Sequence, residues 1–174
     1  ILSIIDTSYT GRNGVEEVVS KASDALKGVR YSEEKKLVQR FLYEVGHDTG
    51  LAVYGEMVVR QRLQDKSVAI LLISEKVNRL HVYIRCRNCG YREDRIVDSA
   101  NLIRLQQEVT ATKCPKCLNL TLEVEEVKDL IDEFIELGED AGARVEVVSA
   151  ETDEGVMLYK SFGGIAAILK YKSF

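Results

Sequence analysis

The chain has 174 residues with a formal charge of −4, 45% hydrophobic and 30% charged residues, and a single proline. That length holds one domain, or one domain with an appendage, and excludes two full catalytic domains; the composition excludes a disordered chain and a disulfide-stapled miniprotein. The acidic balance leaves any affinity for nucleic acid to a local patch.

In chain order, Ile1 to Ile5 reads as a core strand entered without a preceding turn, and no signal-peptide layout stands before it, so the chain is expected to be a piece of a longer one. Asn13 and Glu16 have capping-box spacing and Gly28 follows Leu26 as a stop, which predicts a helix over 13–27. Ser32 caps a second helix with the stripe Leu37, Val38, Phe41, Leu42 and Val45, ending near 48–50. Its opening Glu33-Glu34-Lys35-Lys36 reads as an exposed, self-complementary turn. A third helix is predicted over 55–64. Val68 to Ile73 then has the continuous hydrophobicity of a strand covered on both faces, and this longest apolar run falls far short of the roughly 20 residues of a membrane span.

Leu80 to Ile84 and Leu118 to Val124 alternate as half-buried strands flanking a cysteine-bearing insert. Val127, Leu130, Ile131, Phe134 and Ile135 form the inner stripe of a helix that stops at Gly138 or Gly142. A strand over 144–148, a short helix over 154–160 and a last strand over 165–171 complete the chain. Alternation of strands and helices implies crossover connections, hence an α/β sandwich with a mixed or parallel sheet.

Cys86-Arg-Asn-Cys89-Gly90 and Cys114-Pro-Lys-Cys117 are two Cys-x-x-Cys pairs separated by 24 residues. Each pair wraps one side of a tetrahedral ion, and Cys86, Cys89, Cys114 and Cys117 together close a structural zinc site, with iron as the other metal for such a donor set. Without an export signal they point to metal-bound thiolates in a reducing cytoplasm. Buried free thiols or a redox pair are the bland alternatives, and the polar flanks Arg87, Asn88, Lys113 and Lys116 speak against a core position. In a short arm with few apolar residues, structural zinc supplies on the order of 10 kcal/mol of folding energy.

Residues 85–117 carry seven basic and four acidic side chains, and residues 118–142 carry one basic and nine acidic. Asp129, Asp132, Glu133, Glu136 and Asp140 are expected on one outer helix face, as a solvated surface or a contact for a basic partner. Arg85, Arg87, Arg92 and Arg95 make the arm a candidate for RNA phosphates; with Tyr91 as its one aromatic it lacks a base-stacking platform. Ser161-Phe162-Gly163-Gly164-Ile165 lacks the lysine and spacing of a phosphate loop and reads as a turn of close backbone approach. His47 and His81 lie in no nucleophile signature and are expected to be structural; no nucleophile and base emerge, so no enzyme is expected.

Glu34 to Leu37, Gln39 to Phe41, His47-Asp-Thr-Gly50, Tyr54-Gly55, Val68 to Ile73 and Ser161 to Tyr171 resemble the C-terminal part of archaeal and eukaryotic class I peptide chain release factors. Asp6 to Gly14 and the helix after it look like the end of that family's middle domain. The resemblance implies a division into residues 1–29, the end of a middle domain, and residues 30–174, a partner-binding α/β domain with a zinc minidomain inserted over 80–124. It implies docking to an elongation-factor-like translational GTPase, to an ABC-type ribosome-recycling ATPase and to ribosomal RNA. The family's Gly-Gly-Gln loop, which promotes peptidyl-tRNA hydrolysis, does not occur here. The four-cysteine arm resembles archaeal members, and Ser161, Ala166 and Ala167 stand where eukaryotic ones tend to have glycine. Phe162, Gly163 and Gly164 are expected to form the GTPase-facing loop, an exposed aromatic beside two glycines. Pelota-like rescue factors share the fold without an elaborated minidomain; an RNA-binding zinc ribbon is the rival outside this family.

Overall fold

The computed structural model describes Ile4 and residues 12–172. The opening strand and the side chains of the Asn13–Glu16 capping box lie outside these residues, apart from Ile4, which is exposed and in no strand.

One helix, α1 (Arg12–Gly46), replaces the two predicted. Gly28 sits in its interior, where glycine costs about 1 kcal/mol relative to alanine. The next turns are tied to the rest of the protein: Arg30 Nε donates to Glu34 Oε1 at 2.6 Å, and the Ser149 amide donates to Glu34 Oε2 at 2.8 Å. Glu34, expected at an exposed turn, is fully buried. Tertiary anchoring thus overrides both the glycine stop and the Ser32 cap.

After α1 come β1 (Ala52–Tyr54), α2 (Glu56–Gln64) and β2 (Val68–Ser74). Further on are α4 (Leu130–Asp140), β6 (Arg144–Val148), α5 (Asp153–Phe162) and β7 (Ile165–Leu169), and between β2 and α4 lie β3 (Arg79–Cys86), β4 (Arg92–Asp98), α3 (Leu102–Ala111) and β5 (Leu122–Asp129). The main sheet has the order β1-β7-β2-β6, with β2 parallel to β6 and antiparallel to β7. The expected mixed sheet is therefore present. Leu71, Ile73, Ile165 and Ala167 face α2 and α4, packing on Val59, Leu63, Leu130 and Phe134. Ile70, Leu72, Ala166 and Ile168 face α1 and α5, packing on Val38, Phe41 and Leu158. The continuous hydrophobicity of β2 follows from this two-sided burial.

The arm interrupts the β2–α4–β6 crossover. Its strands pair antiparallel in the order β4-β3-β5, and β5 runs directly into α4, whose first turn is capped by Asp129 accepting from the Ile131 amide at 2.8 Å. Val127, expected on the helix stripe, lies in β5 instead. The arm also has a core of its own: Val82, Ile84, Leu105, Val109 and Leu122 are buried together with Cys86 and Cys114. The expectation of an apolar-poor arm fails because β4 and α3 escaped the sequence reading.

Candidate metal centre and docking loop

The two cysteine pairs are two copies of one backbone turn. Cys86 ends β3, and the chain bends so that the Gly90 amide donates to Cys86 O at 3.0 Å and the Cys86 amide donates to Tyr91 O at 2.8 Å. In the second copy the Leu118 amide donates to Cys114 O at 2.8 Å and the Cys114 amide to Asn119 O at 2.9 Å. The fifth residue of each turn is left-handed, Gly90 at φ 70° and Leu118 at φ 63°. Glycine accepts this freely, whereas Leu118 is strained in it, so the second turn carries a cost that the surrounding structure must meet.

These turns bring four sulfurs together. Cys86 Sγ lies 3.7 Å from Cys117 Sγ, Cys89 Sγ lies 3.6 Å from Cys114 Sγ, and all four lie within 4.8 Å of one another. A tetrahedron of sulfurs with metal–sulfur bonds of about 2.3 Å has edges of about 3.8 Å. The donor set and its spacing therefore fit a metal ion, and none of the cysteines is in a disulfide. Electrostatics agree. The Thr121 hydroxyl, 3.1 Å from Cys86 Sγ, holds that thiol down at about 6, and the Asn88 side chain and the Asn119 amide lower Cys117. Cys89 keeps a hydrogen bond from the Tyr91 amide, yet burial and the neighbouring sulfurs push it up to about 12. Sulfurs this crowded cannot all ionise without a cation among them.

The glycine turn closes α5. Gly163 and Gly164 have φ 73° and 81°, and the Gly164 amide donates to Leu158 O at 3.1 Å. A Cβ on Gly164 would stand 2.6 Å from Val77 Cγ2, whereas one on Gly163 would meet nothing. Arg79 of β3 donates to Gly163 O at 3.1 Å and to Glu56 at 3.3 Å, so the arm reaches the turn. Phe162, expected as an exposed anchor, is half-buried, edge-on to Phe41 and Tyr54 with ring centroids 5.1 Å away in each case. The exposed aromatics beside the turn are Tyr54 and Tyr159, neither of which the sequence marked as a docking anchor.

The four arginines are neutralised within the arm. Arg85 pairs with Glu123 and Glu125, each at 3.3 Å; Arg87 meets Glu123 at 2.5 Å; Arg92 meets Glu125 at 3.3 Å; Arg95 meets Glu93 at 2.8 Å and Glu108 at 3.0 Å. Arg85, Arg87 and Arg92 thus face the acidic stretch at Glu123 and Glu125 of β5, Arg95 is paired within its own stretch, and no surplus of positive charge is left on these four side chains.

A family model described as eRF1 domain 3 matches residues 31–173. The chain belongs to that family. It is 44% identical over 99% of its length to "Peptide chain release factor subunit 1" of Thermococcus sibiricus, and spans 41% of that relative. Among solved structures it is similar to the C-terminal domain of a peptide chain release factor from Methanosarcina mazei, with 36% identity, a TM-score of 0.79, and coverage of 94% of this chain and 98% of that one. Archaeal Pelota from a model of ribosome-bound Pelota and ABCE1 shares the fold, with 19% identity and a TM-score of 0.54 over 99% of this chain and 36% of that one.

In this member of the family, the stretch matched by the model begins inside α1, and Ala166 and Ala167 are fully buried in β7. The acidic helix also needs correction. Glu133 is buried, not on the outer face with Asp132, Glu136 and Asp140; it accepts two bonds from Arg60 at 2.7 and 3.1 Å. Burial pushes its carboxyl up, but the bonds from Arg60 and His81 outweigh this and hold it down at about 2. His47 stacks on Tyr43 at 4.0 Å at the end of α1, and His81 is buried.

Proposed function

We propose that this chain is the partner-docking C-terminal domain of an archaeal-type class I peptide chain release factor, acting by binding and not by catalysis. The observation that carries this is its likeness, along nearly the whole of both chains, to the Methanosarcina mazei release-factor domain. Its partners on this reading are an elongation-factor-like translational GTPase, an ABC-type ribosome-recycling ATPase and the ribosome, in the cytoplasm. The Pelota of the ribosome-bound complex with ABCE1, which has the same fold, is in keeping with the ATPase and the ribosome. No helix among the described residues is long and apolar enough to cross a membrane.

Residues 30–174 form the docking domain, and residues 1–29 belong to the domain before it. Support comes from Val15, Val19 and Leu26, which lie exposed on the first half of α1, while Val38 and Phe41 in its second half are fully buried. Residues 80–124 form the minidomain, in which Cys86, Cys89, Cys114 and Cys117 hold Zn2+ as a closed structural site. The ion neutralises the crowded thiolates and fixes the two turns to each other. Metal analysis of the purified chain tests this, with one zinc per chain expected and a red iron–thiolate chromophore contradicting it.

Phe162, Gly163 and Gly164 form the GTPase-facing loop, with Phe162 as its packed base and Gly163 as its exposed crest. An Asn at 163 tolerates the left-handed backbone and projects into open space. Gly163→Asn is therefore expected to fold normally and to weaken GTPase binding about tenfold by calorimetry, a loss of about 1.4 kcal/mol. Equal affinity of variant and wild type rejects the loop; a wild-type chain that does not bind the GTPase rejects the docking function. RNA contact by Arg85, Arg87, Arg92 and Arg95 is the weaker reading, since each already has a carboxylate partner.

A further inference from the structure

The glycine turn after α5 is seated on the segment that leads from β2 into the arm. At the end of β2 the Ser74 amide donates to Gly164 O at 2.7 Å. Val77, buried in the β2–β3 link, lies against Gly164, so that a Cβ there would stand 2.6 Å from its Cγ2. Two residues on, Arg79 opens β3 and its guanidinium forks. Nη2 donates to Gly163 O at 3.1 Å, and Nη1 donates to Glu56 Oε2 at 3.3 Å. Glu56 begins α2, and the Gly55 amide before it donates to Ile165 O at 2.9 Å. From a strand of the arm, Arg79 thus spans the start of α2 and the turn.

The two glycines are not held alike. Gly164 has its carbonyl bonded to Ser74, its amide bonded to Leu158 O, and Val77, Tyr159 and Ser74 closing the space where a Cβ would stand. Gly163 has open space there, and Arg79 is the partner described for its carbonyl. Glycine has more backbone freedom than any other residue, and two in succession at positive φ, 73° and 81°, need contacts to keep one conformation. A planar guanidinium is suited to this, because its donors have a fixed spacing and bind two acceptors together. The Arg79 side chain is 32% exposed and that of Glu56 13%, so the fork is partly shielded from water.

We propose that Arg79 is a positioning residue for the docking turn: it fixes the Gly163 carbonyl, and with it the crest, in the conformation that the GTPase meets. This rests on the reading that the turn faces the GTPase. A crest already ordered in the free chain loses less freedom on binding, so a residue that orders it raises affinity through Gly163. The arm thereby contributes to docking through the first residue of β3, at the opposite end of that strand from Cys86.

The test is Arg79→Met, which keeps an aliphatic stem and removes both donors. In the free chain, the amide heteronuclear Overhauser effect of Gly163 and Gly164 should match that of α5 in the wild type and fall in the variant, while the Ser74 and Ile165 amides keep theirs. Calorimetric affinity for the GTPase should fall about fivefold, as for one partly exposed hydrogen bond from a charged donor. A turn as ordered in the variant as in the wild type overturns the proposal, and so does unchanged affinity with a loosened turn. Ser74 and Ile165 losing order together with the turn would mean that Arg79 only ties the arm on, and overturns it too. If Arg79→Met gives no folded spectrum over β3–β5, Arg79→Lys, which keeps the cation beside Glu56 but has no fork, carries the same readouts. A wild-type chain that does not bind the GTPase rejects the docking reading itself, a failure seen without any variant.

Discussion

β2 and β7 are aliphatic along almost their whole length and lie under helices on both faces, whereas β3, β4 and β5 pack on α3 from one face only and fill the other with charged side chains. The first region needs nothing beyond apolar burial, since each fully buried aliphatic or aromatic side chain contributes roughly 1.5–3 kcal/mol. The second has a smaller apolar cluster, and at its far end that cluster gives way to four converging sulfurs. A one-sided sheet therefore leaves more to its tip, where the four sulfurs converge, and to how its polar face is docked.

Removing the metal should break the comparison most sharply. With structural zinc contributing on the order of 10 kcal/mol, a chelator should abolish amide-exchange protection over residues 86–91 and 114–119 while β2 and β7 stay protected. Unchanged protection in both turns would mean that the arm stands on its apolar cluster alone. The converse experiment is Phe134→Ala, which opens a cavity beneath β2 and should destabilise the sandwich by about 3–5 kcal/mol in denaturant unfolding without altering metal content.

Acid probes the junction. Glu133 is depressed from 4.5 to about 2, so its contribution is complete above 4.5 and fades as pH falls toward 2. Melting temperature should drop over that window, and the drop should be smaller in Glu133→Gln, which is already destabilised at neutral pH because Arg60 keeps only its longer contact with Glu56 at 3.8 Å. An identical acid profile for the two would place the titrating group elsewhere. The smallest effect is expected from Arg87→Ala, an exposed partner of Glu123, with no resolvable change in melting temperature. Replacing all four arginines should likewise leave any RNA affinity and its salt dependence unaltered; a shallower salt slope would restore them as a phosphate contact.

Much of this was legible in the sequence where one local signal faced no competitor. The strand over 68–73 and the helix over 55–64 differ from β2 and α2 by a single residue at one end. Elsewhere local signals were misleading or absent. Gly28 and Ser32 punctuate α1 convincingly, but the bond from the distant Ser149 amide to Glu34 holds the helix together there. β4 reads Arg-Glu-Asp-Arg-Ile-Val-Asp and has no apolar alternation, because its pairing to β3 is made by backbone and its side chains by ion pairs. α3 did offer a signal: Leu102, Leu105 and Val109 recur at helical spacing, and were passed over between two cysteine pairs.

The sequence by itself determined the four cysteines that cluster, the two-sided strand and the family, because cysteine spacing, continuous hydrophobicity and motif strings are properties of neighbouring residues. Only the tertiary structure decided that Phe162 packs inward, that the arginines are spent on carboxylates within the arm, and that Glu133 turns from a solvent face to meet Arg60 and His81. Those outcomes depend on which charges and rings meet after residues far apart in the chain are brought together, and a one-dimensional pattern carries no record of such pairings.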